Sequence, residues 1–313
     1  MKLDGIATFV AVAEAKSISE AARRLRLSKS VVSTRLADLE KSLGAHLIHR
    51  TTRKLTLTED GAAFLERAGR IAREVEDAAA DFATRRGTLS GPLRLSAPVT
   101  FGRMHLGPAL YPFLAQNQAI ELTLDLDDRR VDAAADGFDA VIRHGPIVDS
   151  RLMAWRLAPS RRVLVASPAY LARHGTPASL AALEGHRGIF YANRGLADWQ
   201  FAGPKGPVSV RARVGLSVNN GDMMRDAAAA DLGIALLPTF VAAAAIEAGT
   251  LQRIDIGGRA AEEFVFVAHP EGRQASLKLR RLVDHLRAAF GSPPYWDCPA
   301  AKTEIAASPA ASA

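Results

Sequence analysis

Apolar positions in the first sixty residues recur at helical spacing in three bursts. Ile6, Phe9, Val10 and Ala13 share one side of a first helix, and Ala21, Ala22 and Leu25 one side of a second. Val32, Leu36, Leu39 and Leu43 do the same for a third, so all four are expected to face inward. Ser17 and Glu20 have capping-box spacing at the second helix, Ser28 stands as N-cap of the third, and Gly44 ends it. The period then changes. "HLIHR" and "KLTLT" read as the arms of a hairpin around Thr51-Thr52-Arg53. Thr58, followed by Glu59 and Asp60, opens a long helix in which Leu65, Ala68, Ala72, Val75, Ala79 and Phe82 fall at alternating steps of three and four. That seam suits either pairing with a second helix or packing on its own domain.

Past this helix the chain turns to Gly, Ser and Pro in "RRGTLSGPLRLS", which predicts a domain boundary near Gly87–Gly91. Strand-like and helical segments then alternate. "PLRLSAP", "IELTLDLD", "FDAVIRHG", "RRVLVASP", "GIALLP" and "EFVFVAHP" read as strands, and helices are predicted to begin near Val99, Val131, Asp222, Thr239 and Ser276. This alternation predicts an α/β domain with largely parallel sheets. The last stretch, 292–313, is rich in Ala, Pro and Ser without a periodic face. It is expected to be a disordered tail whose first residues Tyr295 and Trp296 tack it to the body.

Composition narrows the class. With 48% hydrophobic and 23% charged residues among 313, the chain has the balance of a soluble protein of two or more domains. No apolar run is long enough to span a bilayer, and the N-terminus, with Asp4 and Glu14 on a helical period, does not read as a signal peptide. The single cysteine, Cys298, excludes an intrachain disulfide and suits a reducing compartment. A cytoplasmic protein without a membrane partner is expected.

The net charge of +7 is local. Lys16 to Lys54 carry ten Lys or Arg against three acids, and the remaining chain balances. A basic excess on so small a module is the footprint of a polyanion, or else a solvated face. The helix pattern decides between them. Three short helices with a tight turn before the third form a helix-turn-helix, whose third helix meets base edges in the major groove of double-stranded DNA with its N-terminal residues. Ser28, Lys29, Ser30, Ser33, Thr34 and Arg35 stand there, suited to base edges and phosphate. Arg50, Arg53 and Lys54 at the hairpin form a basic wing for backbone contact.

These residues resemble the LysR-type transcriptional regulators. The resemblance runs without a gap through Phe9, Ala13-Glu14, Ser17-Ile18-Ser19, Ala21-Ala22, Leu25, Ser28, Val32-Ser33, Leu39-Glu40, Leu43-Gly44, Leu47, Arg50, Arg53 and "LTLTEDG". It implies a winged helix-turn-helix over residues 1–60, a dimerising linker helix over 61–88 and a two-lobed, periplasmic-binding-protein-like α/β effector domain over 89–291. The second lobe would take in about 163–267, entered through "RRVLVASPAYLARHG". It also implies promoter binding as a dimer or tetramer, a small effector that sets transcriptional output, and RNA polymerase as a partner. The reading head departs from the family, with Lys29-Ser30 where Gln-Pro is common, and Thr34-Arg35 where the Arg stands one place earlier. One position turns a helical side chain by about 100°, so the operator preference does not transfer.

In a two-lobed fold the ligand sits at strand carboxyl ends and helix N-termini. Ser96 and Thr100 flank the first such turn, and Asn219 and Asn220 precede a helix in the second lobe. Arg143 is assigned an anionic group of the effector, and Trp199 an apolar wall. The eight histidines show no metal-ligand spacing, and phosphate-loop, dinucleotide and nucleophile-elbow motifs are absent, so neither cofactor nor catalysis is expected. The competing reading is a solute-binding protein or enzyme of the same fold with an incidental basic N-terminus.

Overall fold

The computed structural model describes residues 1–50, 55–85, 88–129, 131, 133, 136–145, 152–197, 199–203, 206–258, 260, 262–271 and 275–297. In the first of two compact units, chiefly residues 1–91, α1 (Leu3–Ala15), α2 (Ile18–Arg24) and α3 (Lys29–Leu43) precede a hairpin of β1 (Ile48–Arg50) and β2 (Leu55–Leu57). The long helix α4 (Glu59–Arg85) follows. Ile6, Phe9, Val12, Ala21, Ala22, Val32, Leu36 and Leu39 close one core, as their spacing predicts. Leu43 departs from it. At 37% exposure it is the last residue of α3, next to the Gly44 cap.

Local chemistry explains each joint. Ser17 caps α2 by accepting from Glu20 N at 3.3 Å, while the Glu20 carboxylate bonds to Arg23 and Arg24. Ser28 caps α3 through Val31 N. Gly44 ends α3 at φ +68°, a left-handed turn that costs glycine little. Glu40 accepts from the backbone N–H of both Leu47 (2.7 Å) and Ile48 (3.2 Å), which ties the hairpin to α3. Thr58 donates to His46 O and accepts from Gly61 N, capping α4. A Cβ on Gly61 would lie 2.0 Å from Leu47 O, so only glycine lets α4 start this close to the hairpin. The early part of the heptad seam packs homeward: Ala68 is fully buried and Leu65 partly so against the same core. Farther along, Ile71 and Val75 are exposed.

The second unit carries two lobes. Its elements run β3 (Gly91–Ala97), α5 (Val99–Phe101), a π-helical turn (Gly102–Leu106), α6 (Gly107–Gln116), β4 (Ile120–Leu126), β5 (Ala140–Gly145) and β6 (Leu152–Pro159). The chain then crosses to β7 (Arg162–Ala166), α7 (Pro168–His174), β8 (Arg187–Tyr191), β9 (Gln200–Gly203), β10 (Gly206–Ser209) and β11 (Arg213–Val218). α8 (Gly221–Ala229), β12 (Ile234–Pro238), α9 (Thr239–Glu247) and β13 (Gln252–Ile254) complete that lobe. β14 (Phe264–Pro270) and α10 (Leu277–Phe290) return to the first. The sheets are ordered β4-β3-β5-β14-β6 and β11-β8-β12-β7-β13.

Both sheets are mixed rather than largely parallel. β3 runs parallel to β5, but β14 is antiparallel to β5 and β6. In the second lobe β8 is parallel to β11 and β12, while β7 is antiparallel to β12 and β13. The strands that change direction, β7 and β14, are those at which the chain changes lobe. The helix expected near Val131 is not formed by the described residues there: 136–137 make a turn, with Phe138 N donating to Ala133 O. Residues 292–297, assigned to a disordered tail, are ordered, with Tyr295–Asp297 in a 3-10 turn and Trp296 buried. No helix among the described residues is long and apolar enough to cross a membrane.

Candidate functional site: a reading head and an interlobe cleft

At the N-terminus of α3, Ser28, Lys29, Ser30 and Thr34 are exposed and Ser33 is half-buried. Ser28 and Ser30 hydroxyls lie 2.8 Å apart. Arg35 departs from expectation: its guanidinium meets Asp4, near the start of α1, at 2.9 Å. An exposed pair of this kind is worth at most about 1 kcal/mol, so base reading by Arg35 requires a small rearrangement. Arg53 and Lys54 lie outside the described residues, as does the side chain of Arg50.

Between the lobes lies a cavity of about 30 Å³. That is room for about two waters. Apolar walls come from Pro98, Phe101, Met224, Leu236, Leu237, Pro238, Phe240 and Val241; polar groups come from Thr100, Asp128, His144, Arg162, Tyr191 and Arg194. Bonds across the mouth hold it shut. Thr100 Oγ1 donates to Asp222 Oδ2 at 3.2 Å, Arg103 pairs with Asp222 at 2.7 Å, and Asn193 donates to Asp128 O at 2.7 Å. A Cβ on Gly221 would come within 3.3 Å of Thr100 Oγ1.

Of the six side chains the sequence nominates here, Thr100 alone lines the cavity. Ser96 is fully buried and accepts from Arg143 Nη2 at 2.9 Å; Arg143 also donates to Ile142 O, so the two serve one another. Burial lowers the Arg143 pKa, and Asp127 and Asp128 oppose that shift. Asn220 caps α8 by accepting from Met223 N, and Asn219 is exposed. Trp199 is not a cleft wall. It sits wholly buried in the second lobe's own core, 4.9 Å from the Phe190 ring, because β8 presents an apolar face there.

The groups that do line the cavity have perturbed chemistry. His144 is held down to about 4, first by burial and then by the Arg194 charge, with Glu263 opposing; its Nδ1 is buried without a hydrogen-bond partner. Burial raises Asp128 and pushes Tyr191 up to about 12. Arg194 grips both oxygens of Glu263, at 2.5 and 2.9 Å, and these bonds outweigh burial to keep that carboxyl below its usual range. Arg162 donates to Leu236 O at 3.0 Å. His144 was legible only as the residue after Arg143. Asp128, Tyr191 and Arg194 carry no local signal: Asp128 follows β4, while Tyr191 ends and Arg194 follows β8, a strand that did not stand out.

Known proteins match this arrangement in both parts. Residues 3–62 match the model for the bacterial regulatory helix-turn-helix protein, lysR family, and residues 86–291 the LysR substrate binding domain. The regulator PtxR of Pseudomonas aeruginosa is 32% identical over 298 residues, covering 94% of this chain and 95% of that protein. DmlR of Escherichia coli is 31% identical, covering 92% and 94%. Among solved structures, the LysR-type regulator CrgA from Neisseria meningitidis aligns at 29% identity and TM-score 0.56, covering 91% of this chain and 99% of that one. The full-length virulence activator AphB of Vibrio cholerae aligns at 25% and 0.56, covering 92% and 99%. With its DNA-reading head and its two-lobed effector domain each matched, the chain belongs to the family of LysR-type transcriptional regulators.

Proposed function

We propose that this regulator reads its operator through Ser28, Lys29, Ser30, Ser33 and Thr34. In this reading Arg35 joins them once released from Asp4, while Arg50, Arg53 and Lys54 grip phosphate. The chain divides into a head (1–60), a linker helix (61–88) and an effector domain (89–291). Exposed Ile71 and Val75 on α4 support pairing of that helix with a second copy, giving a dimer and, through further contacts, a tetramer. RNA polymerase is the partner at the promoter, and the protein works in the cytoplasm.

The effector is a small molecule with an apolar body that enters when the lobes part. His144 Nδ1, buried and lacking a hydrogen-bond partner beside that cavity, carries this reading. Leaving such a group unsatisfied costs about 1–3 kcal/mol, which a ligand bonding to it would recover. The anionic character expected from Arg143 has weaker footing, because Arg143 is bonded to Ser96. A carboxylate would have to compete with Glu263 for Arg194 instead. The solute-binding or catalytic alternative gives way, since both family matches are to regulators.

Footprinting of the purified protein on DNA upstream of its own gene and the divergent neighbour tests the first part. A protected, roughly palindromic site surviving moderate salt is expected; diffuse, salt-sensitive protection counts against it. Melting the protein with small carboxylates, each beside its neutral amide, tests the second, because a ligand of the folded state raises the melting temperature. No stabilisation by either series would count against an effector of this size.

A further inference from the structure

The family match ends at residue 291, yet the chain continues in an ordered turn through 297. Tyr295 Oη lies 2.6 Å from His105 Nδ1, and His105 Nε2 lies 2.9 Å from Phe240 O. A carbonyl only accepts, so Nε2 carries a hydrogen and donates to it. The His105 imidazole from the first lobe thus joins α9 of the second lobe to the turn. Trp296, 2% exposed, lies 5.3 Å from the Phe290 ring, 6.1 Å from Phe101 and 6.2 Å from Phe240. Phe101 belongs to the first lobe and Phe240 to the second, and both wall the cavity. Asp297 pairs with Arg161, at the crossing between lobes, at 3.2 Å.

We propose that residues 292–297 are an interlobe latch: the turn bonds both lobes and their crossing segment, and Trp296 is a positioning residue that acts on the cavity through Phe101 and Phe240. A turn that merely covered one lobe would need neither Phe240 nor Arg161. Parting the lobes must strain or release these contacts, so the latch sets the population of the open form. Its effect on ligand binding rests on the reading of the cavity as the effector site; its effect on opening does not.

The test measures interlobe distance in the full-length protein without ligand. In a Cys298→Ser background, spin labels are placed through Arg281→Cys on α10 and Ala172→Cys on α7, both exposed positions. Dilution with unlabelled protein suppresses distances between copies. Trp296→Ala is expected to add a longer-distance population to the single short one, and Tyr295→Phe, which removes one hydroxyl, to shift weight the same way by less. Mere structural support would lower the melting temperature and leave the distances of the folded protein unchanged. Unshifted distances in both variants, or in Tyr295→Phe should Trp296→Ala fail to fold, overturn the latch. Shifted distances in a protein that no carboxylate or amide stabilises would uphold the latch and leave the effector reading to fall alone.

Discussion

At the N-terminus of α3, polar side chains point outward and bond to little but each other: Lys29, Ser30 and Thr34 are exposed, and Ser28 meets Ser30. In the cleft most polar groups are already committed, Arg194 to Glu263, Arg162 to Leu236 O and Thr100 to Asp222, with His144 Nδ1 left buried without a partner. The head is arranged to meet a partner as it stands, whereas the cleft must give up internal bonds before it can take one. A surface built to grip a polyanion gains from presenting cations in water, where they steer association. A closed cleft holding buried charges has to pair them, because an unpaired buried charge is costly.

The largest perturbation should separate the two regions outright. Leu36 is fully buried in the head's core, so Leu36→Ala is expected to cost about 2–5 kcal/mol there and to abolish operator binding near physiological temperature. All three tryptophans lie beyond residue 150, so fluorescence melting reports the effector domain and should stay unchanged. A matching fall in both transitions would show that the regions do not fold separately.

Next comes pH. His144 is lowered from 6.5 to about 4 in the folded protein, so it is neutral in both states above its unfolded value. Below that value the unfolded chain takes up a proton that the folded chain refuses. Stability is therefore full above about pH 6.5 and is lost toward pH 4, by roughly 3 kcal/mol at 1.36 kcal/mol per unit. His144→Gln should flatten that slope in urea melts; an identical slope in the variant would remove His144 from the account.

Smaller effects sharpen the head. Lys29→Ala should cost about 1–3 kcal/mol against the preferred base at one operator position, with equal losses on random DNA arguing for phosphate contact instead. Lys54→Ala should weaken all sequences alike and reduce the salt slope by about 1. Asp4→Asn, which frees Arg35, should change affinity by no more than about 1 kcal/mol. If Arg35 reads a base, binding tightens on the operator; tightening on all DNA equally would place it on the backbone.

The same contrast explains what could be read in advance. The head's helices, caps and hairpin are set by residues within a few positions of one another, so Ser28, Gly44 and Thr58 announce their roles. Six strands of the effector domain stood out as apolar runs, but β6, β8, β9, β10, β11 and β13 did not. β11 has an edge place in its sheet, and its burial is patchy. The cavity gathers Thr100 from α5, Asp128 from after β4, His144 from β5 and Tyr191 from β8, and nothing local links them. Trp199 shows the converse error, since a tryptophan in a loop-like stretch is as good a core residue as a ligand wall. The turn at 292–297 was half legible: Tyr295 and Trp296 stood out as aromatic, while the partners that order them lie on α5, α9 and α10.

Gly61 carries a mechanical consequence. By admitting α4 to within contact of Leu47 O it welds a rod of 27 residues onto the hairpin. At 1.5 Å per residue that rod is about 40 Å long. Pivoting it by about 5° at its far end sweeps the head through roughly 3.5 Å, close to the 3.4 Å rise of one base along a DNA strand. A lever of this length converts an angular change too small to disturb any core into a shift of one step along the groove.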